Sequence, residues 1–307
     1  MPILYPPTAP TLSGDFTTIH NFLSSPTMVE RRLRTIADQR FLADVLLTGS
    51  IEATGGAVAY EVSESIYTDR DPTPVAPGGE YERALATGGT QALANVTKYG
   101  QDVPIADEAI GRQKMNAVQK AMLKVVNRAV AYIDTITLAA IAAAVTQTQA
   151  AAAAWNNAAA DPLLDVMLAA AQVEDLTEGY ECDTVVLTST LYARLTANSK
   201  VLAGLEREGS SQVTKTGDVK TLGGLVVRKA PASRMPAGIA AMVLDSAQLG
   251  SMAWENIPSP EYTGPPSGLQ QYTRRDPSAN DSWLMRGRRT AVPIVQEPNC
   301  AVKLTGV

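Results

Sequence analysis

The chain has 307 residues, of which 45% are hydrophobic and 19% charged, and a net charge of −5. That composition is globular, excludes intrinsic disorder, and gives the chain as a whole no polybasic footprint for gripping nucleic acid. The length allows two compact domains or one core with extended arms, and three Phe against 22 Gly and 19 Pro suit thin, closely packed layers better than a thick aromatic core.

Residues 1–26 are rich in Pro and Thr and read as an extended arm. They carry neither a basic n-region nor an apolar h-region, so nothing directs export and a soluble intracellular protein is expected. A helix should follow from a capping box, Thr27 with Glu30, through Arg31, Arg32, Leu33, Arg34, Ile36 and Arg40 towards Leu46. Between Ile51 and Thr97 the pattern turns to a two-stranded excursion. AVAYEVSESIY (57–67) has strand composition, 68–83 is loop, and ALATGGTQALANVTKYG returns to the body. Gly55, Gly56, Gly88 and Gly89 are placed at its base, and Pro72, Pro74, Pro77, Gly78 and Gly79 near its tip. An isolated two-stranded ribbon has too little to bury, so such an arm makes sense if another subunit covers it.

The segment IADEAIGRQKMNAVQKAMLKVVNRAVAYIDTITLAAIAAAV, from Ile105 to Val145, reads as one long helix. Val118, Met122, Val125, Ala129, Ile133, Ile136 and Ala140 recur in steps of three and four and draw an apolar stripe. About 40 residues would make a rod on the order of 60 Å, a beam for something to rest on. The longest uncharged run, Thr135 to Ala160, is interrupted by Thr146, Gln147, Gln149, Asn156 and Asn157 and is too polar to span a bilayer.

An Ala/Asn linker follows (146–160). Asp161 then Pro162 is an N-cap with proline at the first helical position, opening a helix to about Glu178 that stops at Gly179. DTVVLT (183–188) is a buried-strand run, Ser189 caps a short helix, and the polar stretch 208–219 is expected to be mobile. LGGLVVRKAP and AGIAAMVLD supply two further strands, so the middle alternates strand and helix. A Pro/Gly loop spans 259–270. SWLMRGRRTAVPIVQEP and CAVKLTGV are strand again and are expected to return beside the long helix.

Catalytic chemistry needs convergent polar groups, and few are offered. His20 is the one histidine and reads as a surface residue. There is no GxSxG, HExxH, GxxxxGK or CxxC pattern. Asp69 and Asp71 sit in a Pro-rich loop and read as solvated. Cys182 and Cys300 are isolated thiols, with packing the expected role of Cys182. The Arg31, Arg32, Arg34, Arg40 group, interleaved with Glu30 and Asp38, suits a solvated or inter-subunit face at least as well as a phosphate backbone. No catalytic, cofactor or metal residues are assigned, and a non-enzyme is expected.

Taken together, the arm, the excursion, TKYGQDVPIADEAIGRQKMNAVQKAMLKVVNRAVAYIDTITLAAI, the alternating middle and the ending PIVQEPNCAVKLTGV resemble the major capsid proteins of tailed bacteriophages, with the Hong Kong 97-type fold. The likeness runs from about residue 27 onward and rests on element order more than on a short motif. It implies an α+β fold: N-terminal arm and helix (1–50), extended E-loop (51–97), P-domain spine helix and linker (98–160), A-domain (161–270), and C-terminal strands returning to the P-domain (271–307). It further implies self-assembly into the hexamers and pentamers of an icosahedral shell around double-stranded DNA, located in the virion and assembled in the host cytoplasm. A separate scaffolding protein, a portal, a cement or decoration protein and non-specific contact with packaged DNA follow as partners, with no membrane. Inter-subunit contacts are expected from Arg31, Arg34, Arg70, Asp71, Glu80, Glu82 and Arg83.

Two departures qualify the resemblance. The founding member joins an E-loop lysine to a neighbour's asparagine, with a glutamate as base, whereas here no lysine precedes Lys98. No covalent crosslinking is therefore expected. The chain also starts almost directly with the arm, without the long helical pre-segment of a fused scaffold, hence the separate scaffolding protein. Encapsulin-type nanocompartments, which share the fold and enclose an enzyme cargo, are the nearest alternative. An α/β enzyme with a helical insertion or an Ala-rich filament subunit fits the pattern less well.

Overall fold

The computed structural model describes residues 41–86, 88–157, 159–201, 219–276 and 280–307, together with Ile19, Leu23 and Val29. The Thr27–Glu30 capping box, His20, Arg31, Arg34 and most of the 208–219 stretch lie outside the described residues.

A short helix α1 (Ala43–Leu46) leads into strand β1 (Gly49–Ala53). Gly55 and Gly56, both at positive φ, turn the chain into β2 (Ala57–Val62), which pairs antiparallel with β3 (Thr90–Asn95). The excursion is therefore a separate two-stranded sheet. Its first strand ends at Val62, five residues short of the expected Tyr67. Gly88 and Gly89 lie at the far end of the ladder, against Glu61 and Val62, and not at its base. Gly89 has no room for a side chain there, because a Cβ would press on the Val62 carbonyl.

Strand β4 (Thr97–Ala106) comes next, so Ile105 and Ala106 belong to a strand and not to the long helix. The helical segment itself is broken. Helix α2 (Asp107–Gln113) ends at Lys114, which has φ +50°, and the long helix α3 runs from Met115 to Ala144. Its 30 residues give about 45 Å, shorter than the expected rod. The start of α2 is pinned sideways: Asp107 N–H donates to the Asp281 carbonyl, and the Asp107 carboxylate accepts two bonds from Arg275. Those contacts tie the start of α2 to the end of β11 and to the residue just before β12.

Of the expected stripe on α3, Val118, Met122, Val125 and Ile133 are buried, while Ala129, Ile136 and Ala140 are half-buried beside the buried Val126, Val130, Thr137, Leu138 and Ile141. A 3.6-residue repeat drifts off a strict stripe over this length, and the sheet follows the drift. Asp134 lies within the buried face, while Lys120, Lys124 and Arg128 line the exposed one. The helix is long and apolar enough to cross a membrane by composition, but half of its most apolar window is buried inside the fold.

Strands β5 (Thr148–Ala150), β6 (Thr184–Thr188), β7 (Thr221–Leu222), β8 (Leu225–Ala230), β9 (Ala241–Leu244) and β13 (Ala301–Thr305) form a six-stranded sheet in the order β5-β13-β9-β6-β8-β7. Helices α4 (Pro162–Glu174) and α5 (Ser189–Ala197) pack on it. Asp161 caps α4 by accepting from Leu164 N–H, as its position before Pro162 predicts. The helix ends at Glu174, before the expected Glu178. Thr188, not Ser189, caps α5. All five residues of β6 are buried, as a continuous apolar run requires.

The second body is a five-stranded sheet of β1, β10 (Gly250–Glu255), β12 (Ser282–Val295), β11 (Gln270–Arg275) and β4. The fourteen-residue β12 is its spine, pairing with β4 over Ser282↔Ala106 to Ala291↔Thr97 and with β11 and β10 elsewhere. Helix α3 lies along β12 and β4, as expected for the returning strands. Gly287 permits the close approach, since a Cβ there would overlap the Val125 side chain. The last strand differs from expectation: β13 inserts between β5 and β9 in the sheet of the middle region, and touches the long helix through Lys303, which donates to the Ala142 carbonyl.

Candidate inter-subunit surface

The β2–β3 ribbon carries a long loop, residues 63–89, whose limbs are tied by a compact polar network. Asp69 N–H donates to the Leu85 carbonyl, and Leu85 N–H returns a bond to Asp69 Oδ1 at 2.8 Å. The Arg70 guanidinium reaches Glu82 at 3.2 Å and Asp69 at 3.4 Å, and Thr73 donates to the other Glu82 oxygen. Such exposed pairs are worth little in stability but fix the geometry of an otherwise irregular loop.

The near end of the loop is latched to the body. Ser63 N–H donates to the Gln296 carbonyl, Glu64 N–H to Glu297 Oε1, Ile66 N–H to Glu178 Oε2, and the Tyr67 hydroxyl to the Thr177 carbonyl. Glu297 also accepts from the Tyr180 hydroxyl at 2.9 Å. Burial, then that bond and charge, push the Tyr180 pKa well above the ordinary tyrosine range. Beyond the latch the arm is open. Ile66, Tyr81, Leu85 and Leu93 are exposed by 64–85%, an apolar set that no other described residue covers.

The structure thus brings two of the expected contact residues, Arg70 and Glu82, into one internal network with the neighbouring Asp69. Asp71, Glu80 and Arg83 are exposed and have no partner among the described residues. A second apolar surface was not anticipated: Leu163, Leu164, Met167 and Leu168 on α4 are 40–50% exposed. The sequence does contain its signal: Val166, Ala169, Ala170 and Val173 already make one apolar face, so Leu163, Leu164, Met167 and Leu168 form a second that the same sheet does not bury.

Also unanticipated is the role of the run Met285-Arg286-Gly287-Arg288-Arg289. Strand alternation sends Arg286 and Arg288 to one face and Arg289 to the other. Arg289 holds Asp44 with two bonds. Arg286 holds Asp102 with two bonds at 2.5 and 2.6 Å, and that contact keeps the Asp102 carboxyl below the usual carboxylate range. No cluster of metal-ligating side chains occurs among the described residues. Both cysteines are free; burial pushes the Cys182 thiol up to about 12 and Cys300 higher still.

A family model described as phage capsid protein matches residues 89–304, which covers the long helix, the six-stranded sheet and the spine strand β12. The chain belongs to the phage capsid protein family. Solved shells share its fold. The capsid of cyanophage P-SCSP1u aligns with a TM-score of 0.56 at 14% identity, over 86% of this chain and 88% of that one. Microbacterium phage Oxtober96 aligns at 0.57 and 12%, over 86% and 90%. A virus-like particle from Pyrococcus furiosus aligns at 0.56 and 12%, over 90% and 97%. No curated protein matches the sequence. This capsid protein is a structural component of a bacteriophage virion, a tile of its shell, built on the mixed α+β fold of those capsids.

Proposed function

We propose that this capsid protein assembles into the hexamers and pentamers of an icosahedral shell enclosing the double-stranded DNA of a tailed phage. The observation that carries the reading is the arm. Beyond its latch, a two-stranded ribbon with exposed Ile66, Tyr81, Leu85 and Leu93 meets no covering surface among the described residues, and a ribbon that buries so little needs one. In the shell the arm (51–97) acts as an E-loop laid over a neighbouring subunit. The long helix and β12 form the stiff P-domain beneath it, and the six-stranded sheet forms the A-domain. Arg31, Arg34, Arg70, Asp71, Glu80, Glu82 and Arg83 serve at these interfaces, with Arg70 and Glu82 acting by bracing the arm. Assembly takes place in the host cytoplasm with a separate scaffolding protein and a portal, and contacts with packaged DNA are non-specific. With no lysine before Lys98, the shell is held without lysine–asparagine crosslinks, by non-covalent contacts or a cement protein.

A second reading is a nanocompartment shell around a protein cargo. The similarity to the Pyrococcus furiosus particle favours it. Expression with and without the neighbouring genes, followed by electron microscopy and assay of particle contents, tests both. Closed shells holding duplex DNA in infected cells support the first reading, and shells holding one protein in place of nucleic acid support the second. Discrete monomers under every condition would sink both.

A further inference from the structure

Arg288 is only 7% exposed, yet every group it touches is neutral. Its Nε donates to Gln270 Oε1 at 2.9 Å, its Nη2 donates to the Ile257 carbonyl at 3.2 Å, and its Cζ lies 3.6 Å from the centre of the Tyr262 ring. Three other arginines of the same sheet each have a carboxylate: Arg275 has Asp107, Arg286 has Asp102, and Arg289 has Asp44. A desolvated guanidinium without an opposing charge is costly, and among the described residues only these neutral contacts offset that cost.

Arg288 lines an open cleft of about 450 Å³, together with Lys98, Gly100, Gln101, Asp102, Tyr262 and Arg286. Three cations there face one carboxylate, and Arg286 already occupies that carboxylate. Lys98 is exposed and has no partner among the described residues. Gly100, whose missing side chain would press on Gly287 and Arg288, leaves the floor of the cleft as bare backbone. The site is shaped and charged for an anion.

The arm has the opposite charge. Between residues 57 and 95, six carboxylates (Glu61, Glu64, Asp69, Asp71, Glu80, Glu82) outnumber two guanidiniums (Arg70, Arg83). Asp71 and Glu80 flank its Pro/Gly tip, exposed and unpaired among the described residues. We propose that the cleft around Arg288 and Lys98 receives Asp71 and Glu80 from the arm of a second copy of this chain. The inference rests on the shell reading and adds its locking chemistry. Carboxylates arrive on the arm, and the body supplies the cations that the arm lacks. Because Arg288 is already desolvated and held by neutral groups, little further cost is incurred when the carboxylate arrives.

Charge reversal tests the pairing on the full chain. Lys98→Glu alone, and Asp71→Lys with Glu80→Lys, are each expected to cut the yield of shells by about tenfold or more, with circular dichroism and melting of the free subunit unchanged. Combining all three substitutions should restore shells. Arg288→Met should leave the free subunit at least as stable while weakening assembly, because it removes a buried charge that only the neighbour repays. A Lys98→Glu chain that assembles like wild type, or a combined variant that stays disassembled, overturns the inference. A labelled DNA duplex that binds the free subunit through Lys98 while shell formation ignores the substitution overturns it in favour of phosphate. If the unmodified chain forms no shells at all, the shell reading itself fails.

Discussion

Asp134 and Arg234, one hundred residues apart, meet at 2.8 Å where the long helix passes beneath the middle region. The carboxylate is completely buried, and its second oxygen accepts from the Ala43 N–H at 3.0 Å, so one side chain joins three distant segments. Asp134→Ala leaves the Arg234 charge and the Ala43 N–H without it and is expected to cost about 3–5 kcal/mol in urea unfolding. Burial raises the Asp134 pKa above its ordinary value, despite Ala43 N–H and Arg234. The folded state therefore holds this proton more tightly than the unfolded state does. The stabilising contribution is full below the unfolded carboxylate pKa and is lost as pH rises through the raised value. The melting temperature of wild type minus that of Asp134→Asn, followed from pH 3 to 8, should be highest at acid pH and fall as pH rises.

Lys114 joins two helices at φ +50° and ψ −135°, a conformation natural to glycine and strained for a side chain. Lys114→Gly is expected to stabilise the free subunit by about 1 kcal/mol, and Lys114→Val to destabilise it by at least as much. Equal urea midpoints for wild type and both variants would show that the break carries no strain.

Gly287 fills a different need. Its φ is unremarkable, but a methyl there would drive β12 away from Val125 on the long helix. Gly287→Ala should cost about 1–3 kcal/mol through overpacking. A compensating Val125→Ala should recover part of the loss, and a strictly additive double variant would count against direct contact.

The two thiols should be inert in the folded subunit. With Cys182 pushed up to about 12 and Cys300 higher, almost no thiolate exists at pH 8. A chromogenic disulfide reagent should label neither cysteine over the time that labels both in denaturant. Rapid labelling of the native chain at pH 8 would contradict the burial.

Mature particles boiled in detergent should run as a single band at the subunit mass of 32.5 kDa. An arm without lysine offers no amine for an isopeptide bond, and a ladder of multiples would show that the bond forms elsewhere.

Features set by neighbouring residues were legible in the sequence. Asp161-Pro162 starts α4 where a cap and a pre-set φ demand it, and Val185-Val186-Leu187 is a buried strand on composition alone. Features decided by distant partners were not. Ile105 and Ala106 carry a helix-compatible pattern, yet Trp283 and Ser282 claim them for a ladder. Which residues of α3 are buried beyond Val125 depends on β12 and β4, the distant strands it packs against. On the candidate surface, the arm and its Pro/Gly tip could be read directly. The cleft could not, because nothing near Arg288 in the sequence reveals that Gln270 and Tyr262 hold it, or that Lys98 shares its cleft while Asp102 there is taken by Arg286.

Strand β13 lies between β5 and β9, with Ala301, Val302 and Leu304 buried there. A ribosome emits it after every other strand described above, so until residues 301–305 emerge the middle sheet remains split, with β5 unattached. A chain lacking this one strand leaves the facing edges of β5 and β9 unpaired, and unpaired edges are templates for pairing with another chain.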